Sequence, residues 1–252
     1  MVAVASTLFA INAPGRFWFL WVAAALSMTI GNVGALVQNN IKRLLAYSSI
    51  AHAGYLLVAF AMTTPENSAT GISAAMFYTA AYAAMNVGAF AVVSHFASAG
   101  ERYVTLEDYE GLGRSSPLLA ATLTIFLLSL IGIPMTGGFF AKFYVFSAAL
   151  RANLIWLTLI GVVNSAIGAY YYLRIIVAMY MRESRKEVPV SPIPLGLGVA
   201  LAISVLATLY LGILPDRVLR VARHSAQDLL LHQPVASPNV AEAPHPAGIP
   251  TP

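Results

Sequence analysis

Cysteine is absent from this 252-residue chain, which removes disulfides, thiolate-ligated zinc, iron–sulfur clusters and covalently attached haem. Charge is nearly as scarce. Only 10 % of the residues are Asp, Glu, Lys or Arg, against about 25 % in a soluble domain. By contrast, 59 % are hydrophobic and the mean hydropathy is +0.75, the composition of a polytopic membrane protein. No long apolar run contains a carboxylate, because all 10 acidic residues lie in loops or in the C-terminal tail. The net charge of +4 is small, the basic residues fall mostly between apolar runs, and no glycine-rich phosphate cradle is present. Nucleic acid is therefore not an expected partner.

What is present is a series of apolar runs of membrane-spanning length, so the expected fold is all-α, a membrane helix bundle of about six spans. The spans are expected near 17–37, 44–62, 71–96, 117–150, 154–181 and 192–214. Residues 2–11 are apolar but too short to cross, and no basic residue precedes them as a signal peptide requires. They read as the end of a helix that begins earlier, although Ala10-Ile11-Asn12-Ala13 also offers a small-residue cleavage pattern. The domain reading is thus a helix remnant at 1–15, a transmembrane domain at 16–214, and a tail at 215–252. That tail holds an amphipathic helix to about Leu231 and a Pro/Ala-rich stretch from His232 expected to be disordered.

The run from Pro117 to Leu150 differs from the rest. It is too long for one straight span of ~20 residues and too short for two with a loop. Gly132-Ile133-Pro134-Met135-Thr136-Gly137-Gly138 lies in its middle, where Pro134 removes a backbone donor and the glycines supply freedom. One helix broken at membrane depth is expected. The unpaired backbone groups of such a break survive only inside protein or beside a watered cavity. Lys142 follows among Phe139, Phe140, Phe143, Tyr144 and Phe146, and an intramembrane ammonium marks a functional site. The alternative is a lysine snorkelling to the headgroups, but about eight further residues, or ~12 Å of helix, separate it from Arg151.

Three other groups could carry chemistry at depth. His52 shares a helix face with Ser48 and Ser49, whose hydroxyls could set its tautomer or pass it a proton. Tyr78, Tyr82 and Asn86 follow one another at i, i+4 and form a polar stripe expected to face inward. Arg174 lies about two turns from the next loop and could snorkel, and Lys42 stands at the margin of its span. The charged loop around Glu101, Glu107, Asp108, Glu110 and Arg114 reads as a solvated face, and the span at 192–214 as a structural helix at an edge.

Arg16 and Arg151 mark one side of the membrane. Lys42, Arg43, Arg102, Arg114, Arg182, Arg185 and Lys186 mark the other, which the positive-inside rule makes cytoplasmic. The tail then lies outside.

Three stretches now stand together: Gln38-Asn39-Asn40-Ile41-Lys42-Arg43 through Tyr55, the Gly-Ile-Pro to Lys-Phe-Tyr stretch ending at Tyr144, and Asn164 through the triple tyrosine to Leu173-Arg174. They closely resemble the antiporter-like subunits of NADH-quinone oxidoreductase (respiratory complex I). The last two are similar to the subunit N branch of that family. The resemblance covers about residues 16–214. It implies fourteen spans in two inverted five-helix repeats, of which this chain matches the last six, so the chain is expected to be a fragment, a truncated product or one half of a split subunit. It implies a proton relay through Lys42, His52 and Lys142, and the polar residues on the same spans, Ser48, Ser49, Tyr78, Tyr82, Asn86 and Arg174, are expected to support it. It also implies a bacterial inner membrane, in which the charge count makes the tail periplasmic, neighbouring antiporter-like subunits as partners, and NADH, flavin, iron–sulfur clusters and quinone on other subunits, with no cofactor here. A lysine withdrawn from water can release and rebind a proton, and a histidine titrates near neutrality. A cation/proton antiporter subunit of the same superfamily and a purely structural subunit are the alternatives. The first lacks the intramembrane carboxylate that hard cations prefer.

Overall fold

A computed structural model describes residues 16–62, 67–97, 102–184 and 192–231. The expected remnant at 1–15, the basic residues Arg185 and Lys186, and the tail from His232 lie outside the described residues. Helix α1 (Arg16–Leu36) and α2 (Ile41–Ala61) pack as a hairpin, and Asn40 caps α2 by accepting from the Arg43 amide at 3.1 Å. Helix α3 (Ser68–Ala97) returns beside α2 and is the hub of the bundle. A 3-10 turn (Leu106–Tyr109) and a single helical turn, α4 (Leu112–Ser115), then lead to α5 (Pro117–Ile131). After a five-residue break come α6 (Gly137–Arg151), α7 (Ile155–Met181), α8 (Leu195–Ile213) and α9 (Pro215–Leu231).

Five of these helices, α1, α2, α3, α7 and α8, are long and apolar enough to cross a membrane. At 15 residues each, α5 and α6 run ~22 Å, short of the ~30 Å hydrocarbon core. Together they make the sixth, broken span. Two clusters of buried side chains form the interior, one around Leu45, Val92, Phe96, Leu123, Phe126 and Ile175, the other around Tyr55, Val58, Phe77, Tyr78, Val145 and Leu157. Tyr82 packs against both. The outward faces of α1, α7 and α8 carry exposed Phe19, Leu26, Trp156, Leu159, Ile203 and Leu206, as lipid-facing helices do.

The loop after α3 corrects one expectation. It is docked onto the start of α2 rather than solvated throughout, since Ile41 N donates to Val104 O at 2.8 Å and Leu106 N to Asn39 O at 2.9 Å. Asp108 and Glu110 are buried. Asp108 accepts from the backbone amide and hydroxyl of Thr105 at 3.0 and 2.6 Å, and Glu110 pairs with Arg182 at 3.0 Å. The loop therefore folds around satisfied carboxylates, which its mixed charge does not reveal. The span at 195–213 does lie at the edge, but its C-terminal end seats on the break, where Gly212 lies against the backbone of Met135 and Thr136. Helix α9 is amphipathic as expected, burying Leu219, Ala222 and Ala226 against α3 and α8.

Candidate functional site

The break begins at Gly132, which terminates α5 in the left-handed region at φ 95°, a conformation glycine enters without the penalty a Cβ imposes. Met135 also has positive φ, 71°, and Thr136 Oγ1 donates to Ile133 O at 2.7 Å. The final carbonyls of α5 have no partner within their own helix. They find one in Lys142, whose Nζ donates to Leu130 O, Ile131 O and Ser165 Oγ, each at 2.9 Å. All three ammonium protons are thereby used. The reach is possible because Lys142 sits on the second turn of α6 and a helical side chain leans toward its helix N-terminus, here toward the break. The carbonyl end of α5 also carries partial negative charge, which favours an ammonium. Lys142 is 8 % exposed and turns inward to these carbonyls, not outward to headgroups.

The Tyr55 ring of α2 lies 5.3 Å from Lys142 Nζ, within cation–π range. Beside the same ring lies His52, whose ring centroid is 5.6 Å from that of Tyr55, edge to face. Tyr55 thus touches both ionisable groups. His52 is 2 % exposed and stacks on Tyr82 at 4.8 Å. Its Nδ1 shares a 2.8 Å hydrogen bond with the Tyr78 hydroxyl, and its Nε2 lies 3.5 Å from the Tyr172 hydroxyl. Each donor is set by the ring's tautomer.

Here the structure corrects the expected partners. Ser49 donates to its own helix, to Leu45 O at 2.9 Å, and Ser48 bonds the Tyr172 hydroxyl. Ser49 is thus satisfied on its i−4 carbonyl, and Ser48 reaches toward His52 only through the Tyr172 hydroxyl. Tyrosines from α3 and α7 reach His52 instead. Tyr82 Oη and Asn86 Oδ1 are buried without a hydrogen-bond partner, so the polar stripe of α3 does face inward and continues past His52.

Two of the expected residues stand apart. Lys42 is half-buried in the first turn of α2, ten residues and so ~15 Å of helix from His52. The Arg174 guanidinium donates to Gln38 O at the end of α1 and leaves Nε buried without a partner, so it ties α7 to the α1–α2 turn rather than snorkelling. The structure adds Asn32, 1 % exposed. Its amide donates to Met28 O at 2.8 Å and Asn164 Oδ1 at 3.1 Å, and its carbonyl accepts from the Tyr171 hydroxyl at 2.9 Å. A lone Asn within the apolar run Ile30 to Val37 was the available signal. An open groove of about 460 Å³ between α6 and α7 ends at Lys142.

The sequence profile of the NADH:quinone oxidoreductase/Mrp antiporter transmembrane family matches residues 1–168. The chain is 72 % identical over 223 residues to NADH-quinone oxidoreductase subunit N 2 of Koribacter versatilis, covering 88 % of this chain and 44 % of that protein. It is 57 % identical over 211 residues to subunit N 1 of Solibacter usitatus, covering 83 % and 43 %. Its fold overlays a chain of respiratory complex I from Thermus thermophilus with bound aureothin at a TM-score of 0.68 and 38 % identity, covering 80 % of this chain and 44 % of that one. The chain thus spans less than half the length of these relatives. With the broken helix and its lysine found where the profile matches, the chain belongs to the NADH:quinone oxidoreductase/Mrp antiporter transmembrane family.

Proposed function

We propose that this chain is the part of an NADH-quinone oxidoreductase subunit N that moves protons across a bacterial inner membrane, driven by NADH-to-quinone electron transfer on other subunits. The observation that carries this reading is the joining of Lys142 and His52 through one buried tyrosine ring inside a bundle whose helix is broken beside the lysine. Both groups change protonation without leaving their places. The hydroxyls of Tyr78 and Tyr172 supply exchangeable protons at both nitrogens of His52, and water can bridge the remaining gaps. Lys42, at the end of α2, is assigned the mouth of the relay, and Tyr82, Asn86, Ser48 and Ser49 its walls.

Among the described residues no three of His, Asp and Glu gather as a metal site would need, which favours protons over a hard cation as the transported ion. Iron–sulfur chemistry needs thiolates that this chain lacks. The proposal assigns the redox groups of the complex, NADH, flavin, iron–sulfur clusters and quinone, to partner subunits, and neighbouring antiporter-like subunits are the proposed contacts.

The double variant Tyr78→Phe/Tyr172→Phe tests the relay. It removes both hydroxyls from His52 while keeping the rings, and proton transfer by positioned groups is typically worth ~10²-fold or more. NADH-driven acidification of inverted membrane vesicles, at normal complex abundance, should fall by roughly tenfold or more. An unchanged rate would remove His52 from the path.

The proposed orientation puts the tail in the periplasm. A cysteine at exposed Arg114 should resist an impermeant reagent added outside, and one at exposed Asn153 should react. The opposite labelling would reverse the assignment of sides.

A further inference from the structure

The end of the bundle where α3 begins and α6 finishes holds a second cavity, of about 410 Å³, roofed by α9. Two guanidiniums line it, Arg151 at the end of α6 and Arg223 on α9, with Thr70, Ser73 and Gln227 adding hydroxyl and amide groups. Neither arginine forms an ion pair among the described residues, and the pairs found there, Arg114–Glu183 and Arg182–Glu110, lie at the opposite end. No Asp or Glu is among the residues lining the cavity, and Asp216 lies beside Tyr144 at its edge, so the lining itself is positively charged. Phe143 and Ser147 line both this cavity and the groove that ends at Lys142. The two therefore adjoin along α6. A basic, hydroxyl-rich chamber near the start of α3 and the end of α6 lies next to an apolar furrow walled by Phe139, Phe146, Leu150 and Val162.

That sequence of surfaces matches a phospholipid, polar at one end and apolar along its length. We propose that this is a binding site for an anionic phospholipid, its phosphate between Arg151 and Arg223 and one acyl chain in the furrow over Lys142. Charge complementarity selects the headgroup, and paired arginines suit a phosphate, which they bind through parallel hydrogen bonds. The arginine-bearing face of α9 turns toward this end of the bundle, where Arg151 finishes α6, and basic residues at a helix end suit an anionic headgroup. The acyl chain would close the side of the bundle through which Lys142 is otherwise open. The proposal rests on the cavities and on the membrane setting, and it stands or falls separately from the proton relay.

Native mass spectrometry of the membrane assembly purified with this chain provides the test, using phosphatidylglycerol, phosphatidylcholine and glycerol 3-phosphate as probes. At ~1 kcal/mol per arginine near the surface, phosphatidylglycerol should be held roughly 30-fold more tightly than phosphatidylcholine. Arg151→Gln/Arg223→Gln should abolish that preference, and both positions are exposed enough to tolerate glutamine. Ala166→Trp, which fills the furrow, should weaken both lipids and spare glycerol 3-phosphate. Any of three results would overturn the site. These are glycerol 3-phosphate binding as tightly as the lipid, which means a free-anion pocket, an undiminished preference in the double glutamine variant, and a Val162→Cys cross-link to another polypeptide, which means a protein occupies the furrow.

Discussion

Lys142→Arg is expected to leave the chain assembled in the membrane while reducing NADH-driven proton pumping to near background. The geometry makes this substitution more telling than alanine or methionine. In the native protein Nζ satisfies two helix-terminal carbonyls and Ser165. Lys142→Met strips both carbonyls of their donor, and a buried unsatisfied acceptor costs ~1–3 kcal/mol, so a loss of activity there would mix structure with mechanism. Arginine keeps a positive charge and has donors to spare for the same carbonyls. It does not deprotonate in proteins, so it can hold the break together but cannot pass a proton. If Lys142 served only to cap α5, arginine would support normal pumping. The measurement is vesicle acidification and NADH-to-quinone electron flow at equal complex abundance. Full rates in the arginine variant would end the relay assignment for this residue.

Gly138→Ala should produce the largest loss of stability from the smallest change in the chain. A Cβ at Gly138 would lie 1.8 Å from Ser129 O and 2.8 Å from the Ser129 carbonyl carbon. Both are backbone atoms, so no side-chain rotation can relieve the clash, and α6 must move away from α5. Overpacking of this kind costs ~3 kcal/mol at the upper end of its usual range. At ~2–4 °C per kcal/mol for a chain of this size, the thermal midpoint should fall by roughly 6–12 °C. The same movement would carry Lys142 away from Leu130 and Ile131, so pumping should fall with stability. Gly198→Ala is the internal control. A Cβ there meets only Ile193 Cγ2 at 3.9 Å, an ordinary contact, and alanine is the better helix former by up to ~1 kcal/mol. That variant should be neutral or slightly stabilised in a detergent melting assay. Equal tolerance of alanine at both positions would mean that α5 and α6 do not touch as closely as the structure shows.

The amino-acid order by itself determined the number of spans, the place of the break and the residue beside it. These are properties of one stretch of chain against a uniform solvent. A bilayer demands ~20 apolar residues per crossing, so a run of the wrong length with Pro134 and three glycines in it announces its own interruption, and Lys142 stands out because a charge there is costly. The three motifs also carried the family, which the profile match then showed.

What only the tertiary structure decided is which helix meets which. Periodicity placed Ser48 and Ser49 on the face of His52, and that was true, but the groups that touch the ring are Tyr78 and Tyr172, separated from His52 by 26 and 120 positions. Tyr55 as the contact between His52 and Lys142, Asn32 as the partner of Asn164 and Tyr171, and the burial of Asp108 and Glu110 were equally hidden. The physical reason lies in the solvent. In water an inward helix face is apolar and an outward face polar, so the sequence marks both. In a membrane the lipid-facing side is as apolar as the core, and the pattern of one helix carries little information about its neighbours. Partner choice is then left to shape, to close approaches such as Gly138 on Ser129, and to the few polar groups that must find one another away from water.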